Sequence, residues 1–306
     1  MLDKFQRVHF RREANLKYTK LTRTDFEKWF HEIMEQRYPS SYQCVESMQG
    51  DGGIDGIDID SGTIYQVFAP IKSDKAKTKK KLGDLETAKK TMQTHNAQLR
   101  RWVFCNKDEK LTKEVAPELM TLKQKAEKAN IKLEVWGFKA FWNEIKQLPI
   151  TDLDGLFGES PTEASLDELA FPEIGEVIKY ICDNFPKVNR YTKIKIPPKD
   201  KVHKNGLSDI NIDAIIMGRR QEKVVSQYFN QIYDKTEGNR ISETYKSSYD
   251  ELKLSGMKPD DIFEELLGFT GVHHFTGQKN LAAVYAILSY FFSACDIFED
   301  GKNEKP

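Results

Sequence analysis

The apolar positions of the first half of the chain alternate between two periods. From Asp25 to Gln36, Phe26, Trp29, Phe30, Ile33 and Met34 recur at helical spacing, with Thr24 or Asp25 placed to cap the start and Pro39 beyond the end. Short strand-like runs follow at Tyr42–Ser47, Ile54–Asp60 and Thr63–Ala69, the last two separated by the turn signal Ser61-Gly62 and closed by Pro70. A lysine-rich helix is predicted over Asp74–His95, a buried strand over Arg101–Cys105, a helix over Thr112–Ala129, a strand over Ile131–Trp136 and a helix over Lys139–Leu148. The order α-β-β-β-α-β-α-β-α predicts an α/β fold: a small mixed sheet flanked by helices.

Beyond this the pattern changes. Gly158–Ala170 is rich in Gly, Ser, Pro, Thr and Glu and reads as a linker. A helix is predicted over Phe171–Phe185 and an irregular stretch over Ile194–Leu207. Further helices are predicted over Gly218–Tyr233, Glu237–Leu254, Pro259–Leu267 and Gln278–Phe298. The last is apolar most of the way round, which buries it in its own domain or against another subunit. The expected organisation is an α/β domain over 1–157, a linker over 158–170 and a mainly α-helical domain over 171–306.

Composition narrows the function classes. Hydrophobic residues make up 39% and charged residues 31%, which suits a soluble globular protein. No apolar run reaches the length of a membrane span, and Met1–Arg12 is charged rather than signal-like. The four cysteines are scattered without a C-x-x-C pair, so neither a disulfide framework nor a zinc knuckle is indicated and a cytoplasmic location is expected. The 47 basic residues balance the 47 acidic ones, but Lys72–Lys110 is locally basic, and distribution matters more than the sum. P-loop, G-x-G-x-x-G, G-x-S-x-G and H-E-x-x-H patterns are missing. Trp102, Trp136 and Trp142 read as core, and His273-His274 as a structural or interface pair.

The most informative segment is Gly50-Asp51-Gly52-Gly53-Ile54-Asp55-Gly56 with Thr63-Ile64-Tyr65-Gln66-Val67-Phe68-Ala69-Pro70. A hairpin of the two strands sets Asp55 beside Gln66. Gln66 shares a face with Ile64 and Phe68, so its amide needs a partner there. A carboxylate beside an amide oxygen suits a hard cation such as Mg²⁺. The plain alternative is a glutamine bonded to backbone in an ordinary hairpin, with the glycines as turn formers.

Taken with the order of elements, these motifs resemble the restriction-endonuclease-like fold, the PD-(D/E)XK nucleases, in the Mrr-like and Cap4-like branches. The resemblance implies a metal-dependent DNA endonuclease over about the first 150 residues, using Mg²⁺, or Mn²⁺ in its place. Asp55 and Gln66 would hold the metal, with Glu27 from the preceding helix, or Glu32 as the alternative. The lysine that such nucleases carry two residues after the second motif is replaced by Phe68. Lys72 is the favoured substitute, with Lys79, Lys80 and Lys81 as the others. Ser289–Glu299 resembles the end of the C-terminal domain on effectors of ABC-ATPase three-component, Lamassu-type antiphage systems. That resemblance implies an effector held inactive by an SMC-like ABC ATPase and a middle component, and activated by release or as a homo-oligomer. The alternatives are a catalytically degenerate DNA-binding or scaffold subunit of the same complex, or an α/β domain with an unrelated interaction role.

Overall fold

A computed structural model of the chain describes residues 2–45, 54–72, 75–95, 97–107, 113–185, 205–232, 236–294 and 297–298. The turn Gly50–Gly53, the predicted irregular stretch up to residue 204 and Cys295 lie outside them. The chain divides into two compact units, Glu13–Leu153 and Met1–Arg12 with Asp154–Pro306.

The first unit is mixed α/β. After α1 (Lys4–Lys20), of which residues 13–20 belong to this unit, and α2 (Arg23–Arg37) come β1 (Tyr42–Cys44), β2 (Gly56–Asp58) and β3 (Thr63–Phe68), then α3 (Lys75–Thr94), β4 (Arg101–Asn106), α4 (Ala116–Lys128), β5 (Lys132–Trp136), α5 (Phe138–Ile145) and the start of α6 (Ile150–Phe157). The strands lie in the order β1-β2-β3-β4-β5. The β1/β2 and β2/β3 pairs are antiparallel, and β3, β4 and β5 are parallel, with α3 and α4 as the crossovers. This is the small mixed sheet the sequence predicts.

Strand alternation divides the core into two layers. Ile64, Trp102, Phe104 and Leu133 face Leu82, Leu85 and Ala88 of α3 and Ala126 of α4. On the opposite side Tyr65 packs against Phe30 of α2, Tyr42 and Trp136, while Phe141 of α5 stacks on Phe30 at 5.1 Å. Trp102, Trp136 and Trp142 are all buried.

The second unit is helical: α7 (Glu163–Asp167), α8 (Phe171–Asn184), α9 (Asp209–Arg219), α10 (Glu222–Gln231), α11 (Glu237–Leu254), α12 (Pro259–Thr270) and α13 (Gln278–Ala294). Helix α13 is its centre, with Leu281, Val284, Ile287, Leu288 and Phe291 in one core with α8, α9, α11 and α12. Its apolar circumference is therefore satisfied within its own unit.

Four features depart from the sequence reading. Residues 158–170, expected as a linker, hold α7, capped by Thr162 and Ser165 and anchored by buried Leu166 and Leu169. Ion pairs from Arg220 to Glu163 and Asp167 fasten it to the end of α9. Helix α1 was not anticipated. Its first turns bury Phe5 and Val8 in the helical core, and Arg12 pairs with Glu264. Helix α6 was likewise not anticipated; it follows α5 where the predicted pattern stops at Leu148. The helix expected over Gly218–Tyr233 is α10, beginning at Glu222, and α9 before it was not anticipated. Gly218, in the last turn of α9, lies at a close crossing, where a Cβ would sit 2.1 Å from the Tyr285 carbonyl oxygen of α13. Among the described residues no helix is long and apolar enough to cross a membrane.

Candidate functional site

The register that pairs Gly56 with Tyr65 places Asp55 across from Gln66. The Asp55 N–H donates to the Tyr65 carbonyl and the Asp55 carbonyl accepts from Val45, both at 2.9 Å, so the backbone is fixed on both sides. The carboxylate is equally constrained: Oδ2 accepts from the Val67 N–H and from Gln66 Nε2, each at 2.5 Å. Asp55 is 2% exposed and Gln66 is 0% exposed.

The two side chains meet, as the hairpin predicts, but the amide turns its nitrogen to the carboxylate. Among the described residues Gln66 Oε1 is buried without a hydrogen-bond partner. An orphaned buried carbonyl of this kind costs about 1–3 kcal/mol. Rotating the amide would satisfy Oε1 only if a cation stood between it and Asp55, because two oxygens facing each other repel.

Asp55 lines a cleft of about 720 Å³ at the carboxyl end of β3, shared with Arg23, Thr24 and Glu27 of α2, Val67–Lys72, and Lys75, Lys77 and Lys81 of α3. The crevice beyond the carboxyl ends of strands is where α/β sheets bind ligands. Local bonds hold its rim. The Arg23 N–H, in a left-handed backbone at φ 50°, donates to the Ala69 carbonyl at 2.7 Å, and Lys107 N–H donates to the Phe68 carbonyl at 3.0 Å. Five cationic side chains face two carboxylates around the cleft, which favours a polyanion.

The sequence-derived candidates separate clearly. Glu27 and Lys72 line the cleft with Asp55, Gln66 lies beneath it, and Glu32 does not border it. Phe68 stacks on Phe104 at 6.2 Å, so this position serves packing and no ammonium stands there. Lys79 turns away to Glu118 on α4, at 2.5 Å, and Lys80 is exposed outside the cleft. Lys81 borders it, pairing with Asp84 at 3.7 Å. Arg23 and Lys77 were not singled out from sequence. For Lys77 the signal was present, since it lies one helical turn before Lys81 and four residues apart share a face.

The donor set is chemically suited to Mg²⁺ or Mn²⁺: hard carboxylate oxygens of Asp55 and Glu27, and the unsatisfied Gln66 oxygen. Among the described residues no three His, Cys, Asp or Glu side chains form a metal-binding cluster, so a cation here depends on the amide as well. Behind the cleft, His31 Nε2 lies 3.9 Å from Glu27 Oε1, and His31 Nδ1 lies 2.6 Å from the Tyr42 hydroxyl. On β4, opposite Val67, burial and the nearby Asp55 charge push the Cys105 thiol well above its ordinary pKa.

Residues 173–299 match the family model of C-terminal domain 10 of the ABC-three component (ABC-3C) systems. The match covers the helical unit from α8 onward and does not reach the cleft. No curated protein and no solved structure matches the chain.

Proposed function

We propose that this chain is a metal-dependent DNA endonuclease effector of an ABC-three component defence complex. The helical unit's match to the C-terminal domain of such systems supports membership of a multi-component assembly. The observation that carries the nuclease reading is the buried Asp55–Gln66 pair at a cleft bordered by Glu27 and five basic side chains.

In this reading Asp55, Glu27 and Gln66 would hold Mg²⁺ or Mn²⁺. When bound, the cation supplies acidification of water and neutralisation of phosphate charge. The protein's own groups do the rest. Arg23, Lys72, Lys75, Lys77 and Lys81 hold the phosphodiester backbone without reading bases. The Val67 N–H and the Gln66 amide fix the position of the Asp55 carboxylate at the cleft. A water oxygen attacks phosphorus, the bond to the 3′ oxygen breaks, and the products are a 5′-phosphate and a 3′-hydroxyl. With Phe68 committed to packing, Lys72, Lys77 or Lys81 stabilises the charge that develops. The helical unit docks on an SMC-like ABC ATPase and a middle component that keep the effector silent until release or homo-oligomerisation.

The test is plasmid cleavage by the isolated chain at high concentration with Mg²⁺ or Mn²⁺, beside Asp55→Ala. Cleavage that depends on metal and on Asp55 is expected; cleavage that persists in Asp55→Ala refutes the site. One observation favours a second reading, a non-catalytic DNA-binding or scaffold subunit: the amide nitrogen of Gln66, rather than its oxygen, faces Asp55. Metal-independent DNA binding without cleavage by the activated complex would select it.

A further inference from the structure

Glu27 does not stand alone at the edge of the cleft. One helical turn along α2, His31 lies on the same face, and helical side chains lean toward the N-terminus, so the imidazole leans back toward Glu27. His31 is buried, with Nε2 at 3.9 Å from Glu27 Oε1 and Nδ1 at 2.6 Å from the Tyr42 hydroxyl. Tyr42 can reach it only because the neighbouring strand carries a glycine: a Cβ on Gly56 would sit 2.2 Å from the Tyr42 oxygen. Gly56 follows Asp55 directly, so the same short motif supplies the acid and the opening behind it.

The direction of the protons follows from burial. Tyr42 is 2% exposed, and burial pushes its phenol far above the ordinary range, so it stays protonated. Were the hydroxyl to accept from Nδ1–H, the bare lone pair of Nε2 would face the Glu27 carboxylate. A hydroxyl donating to Nδ1 instead places the imidazole proton on Nε2, which faces the Glu27 carboxylate. Only the second arrangement turns a proton, rather than a bare nitrogen lone pair, toward the Glu27 carboxylate.

We infer that His31 is a positioning residue for Glu27, held by Tyr42 in the tautomer that turns Nε2–H toward the cleft carboxylate. The inference deepens the proposed function and rests on it for the role of Glu27 as a cation ligand. At 3.9 Å the His31–Glu27 contact is electrostatic rather than a hydrogen bond. It restrains an otherwise half-exposed side chain at the cleft. Outer contacts of this kind change metal affinity by about 10–100-fold when removed.

Two measurements on the full chain test it. In protein labelled with ¹⁵N at its six histidines, two-bond ¹H–¹⁵N correlation reads the tautomer directly, with His31→Gln assigning the signal. Nε2 protonated and Nδ1 bare is expected, shifting to a tautomer mixture in Tyr42→Phe. A protonated Nδ1, or a tautomer indifferent to Tyr42→Phe, overturns the inference. Mn²⁺ affinity, read from the electron paramagnetic resonance of free Mn²⁺, should fall about 10-fold in His31→Gln and Tyr42→Phe, and no further when either is combined with Glu27→Gln. An equal fall in the Glu27→Gln background overturns it, since His31 would not then act through Glu27. If the wild-type chain takes up no Mn²⁺, the cation reading of the proposed function fails by itself, and the tautomer spectrum decides the His31 assignment.

Discussion

Replacing Gly56 with alanine separates what the backbone prefers from what its neighbour allows. Gly56 has no left-handed φ. Backbone propensity alone therefore makes Gly56→Ala favourable, by about 0.5–1 kcal/mol. The structure gives the opposite sign. The new methyl would meet Tyr42 at 2.2 Å from its oxygen, 2.7 Å from Cζ and 3.0 Å from Cε2. Tyr42 is packed against Tyr65 and bonded to His31, so it has little room to retreat. Overpacking of this kind costs about 1–3 kcal/mol. Losing the buried hydrogen bond to His31 adds about 1 kcal/mol. The net is a loss of about 2 kcal/mol, or about 1 M in the urea midpoint for a denaturant slope of about 2 kcal/mol/M. Tryptophan fluorescence is the right probe, because Trp29, Trp102, Trp136 and Trp142 all lie in the α/β unit. Repeated in a Tyr42→Ala background, the same substitution should be neutral or mildly stabilising. An equal loss in both backgrounds would refute the steric argument.

Other outcomes follow from the same structure. Lys77→Ala and Lys81→Ala should each lower the slope of log affinity against log salt for a DNA duplex by about 0.9, measured by fluorescence anisotropy. Glu134 feels burial that would raise its pKa, but hydrogen bonds from Arg101, Lys132 and Trp136 outweigh it and lower the group to about 2. Its stabilising contribution is thus fully present above the ordinary carboxylate pKa and disappears as pH falls toward 2, and in urea titrations against pH the gap between wild type and Glu134→Gln should close over that window. Arg12 is 1% exposed, paired with Glu264 and donating to the Tyr285 hydroxyl, so Arg12→Met should destabilise the helical unit by about 3 kcal/mol in hydrogen exchange. With its thiol buried and its pKa raised, Cys105 should resist alkylation until unfolding, while exposed Cys44 reacts in the native protein, as mass spectrometry of labelled peptides would record.

The hairpin was legible because a turn signal stands between two strand-like runs, and a two-residue period sets which side chains share a face. A two-residue turn at Ser61-Gly62 would set Gln66 opposite Ile57; the four-residue connection over 59–62, which pairs Asp58 with Thr63, is what brings Asp55 across from Gln66. What the amide does with its two ends was not legible, since that depends on Val67 N–H already occupying the same carboxylate oxygen. The lysines around the cleft were legible as a charge run but not as individuals. Which of them turns inward depends on α4, where Glu118 draws Lys79 away. Helix α1 escaped notice because its buried residues, from Phe5 to Tyr18, serve two different cores in succession. No single stripe of one period emerges from such a sequence. Gly56 read as one residue of the Ile54–Asp60 strand, or in the plain alternative as a turn former, whereas its missing side chain is what admits Tyr42. The 158–170 stretch has the composition of a linker, and only Leu166 and Leu169 betray that it is packed.

The helical unit draws its core from Phe5 and Val8 near the beginning of the chain and from α13 near the other end. The α/β unit between them is one uninterrupted stretch. On the ribosome the two therefore mature in a fixed order. The stretch with the cleft can collapse as soon as it emerges, as contiguous domains generally do. The opening residues must wait, unpaired, until translation has passed α13 before their neighbours exist. Any assembly that recognises the finished helical surface meets a molecule whose cleft-bearing stretch has already left the ribosome.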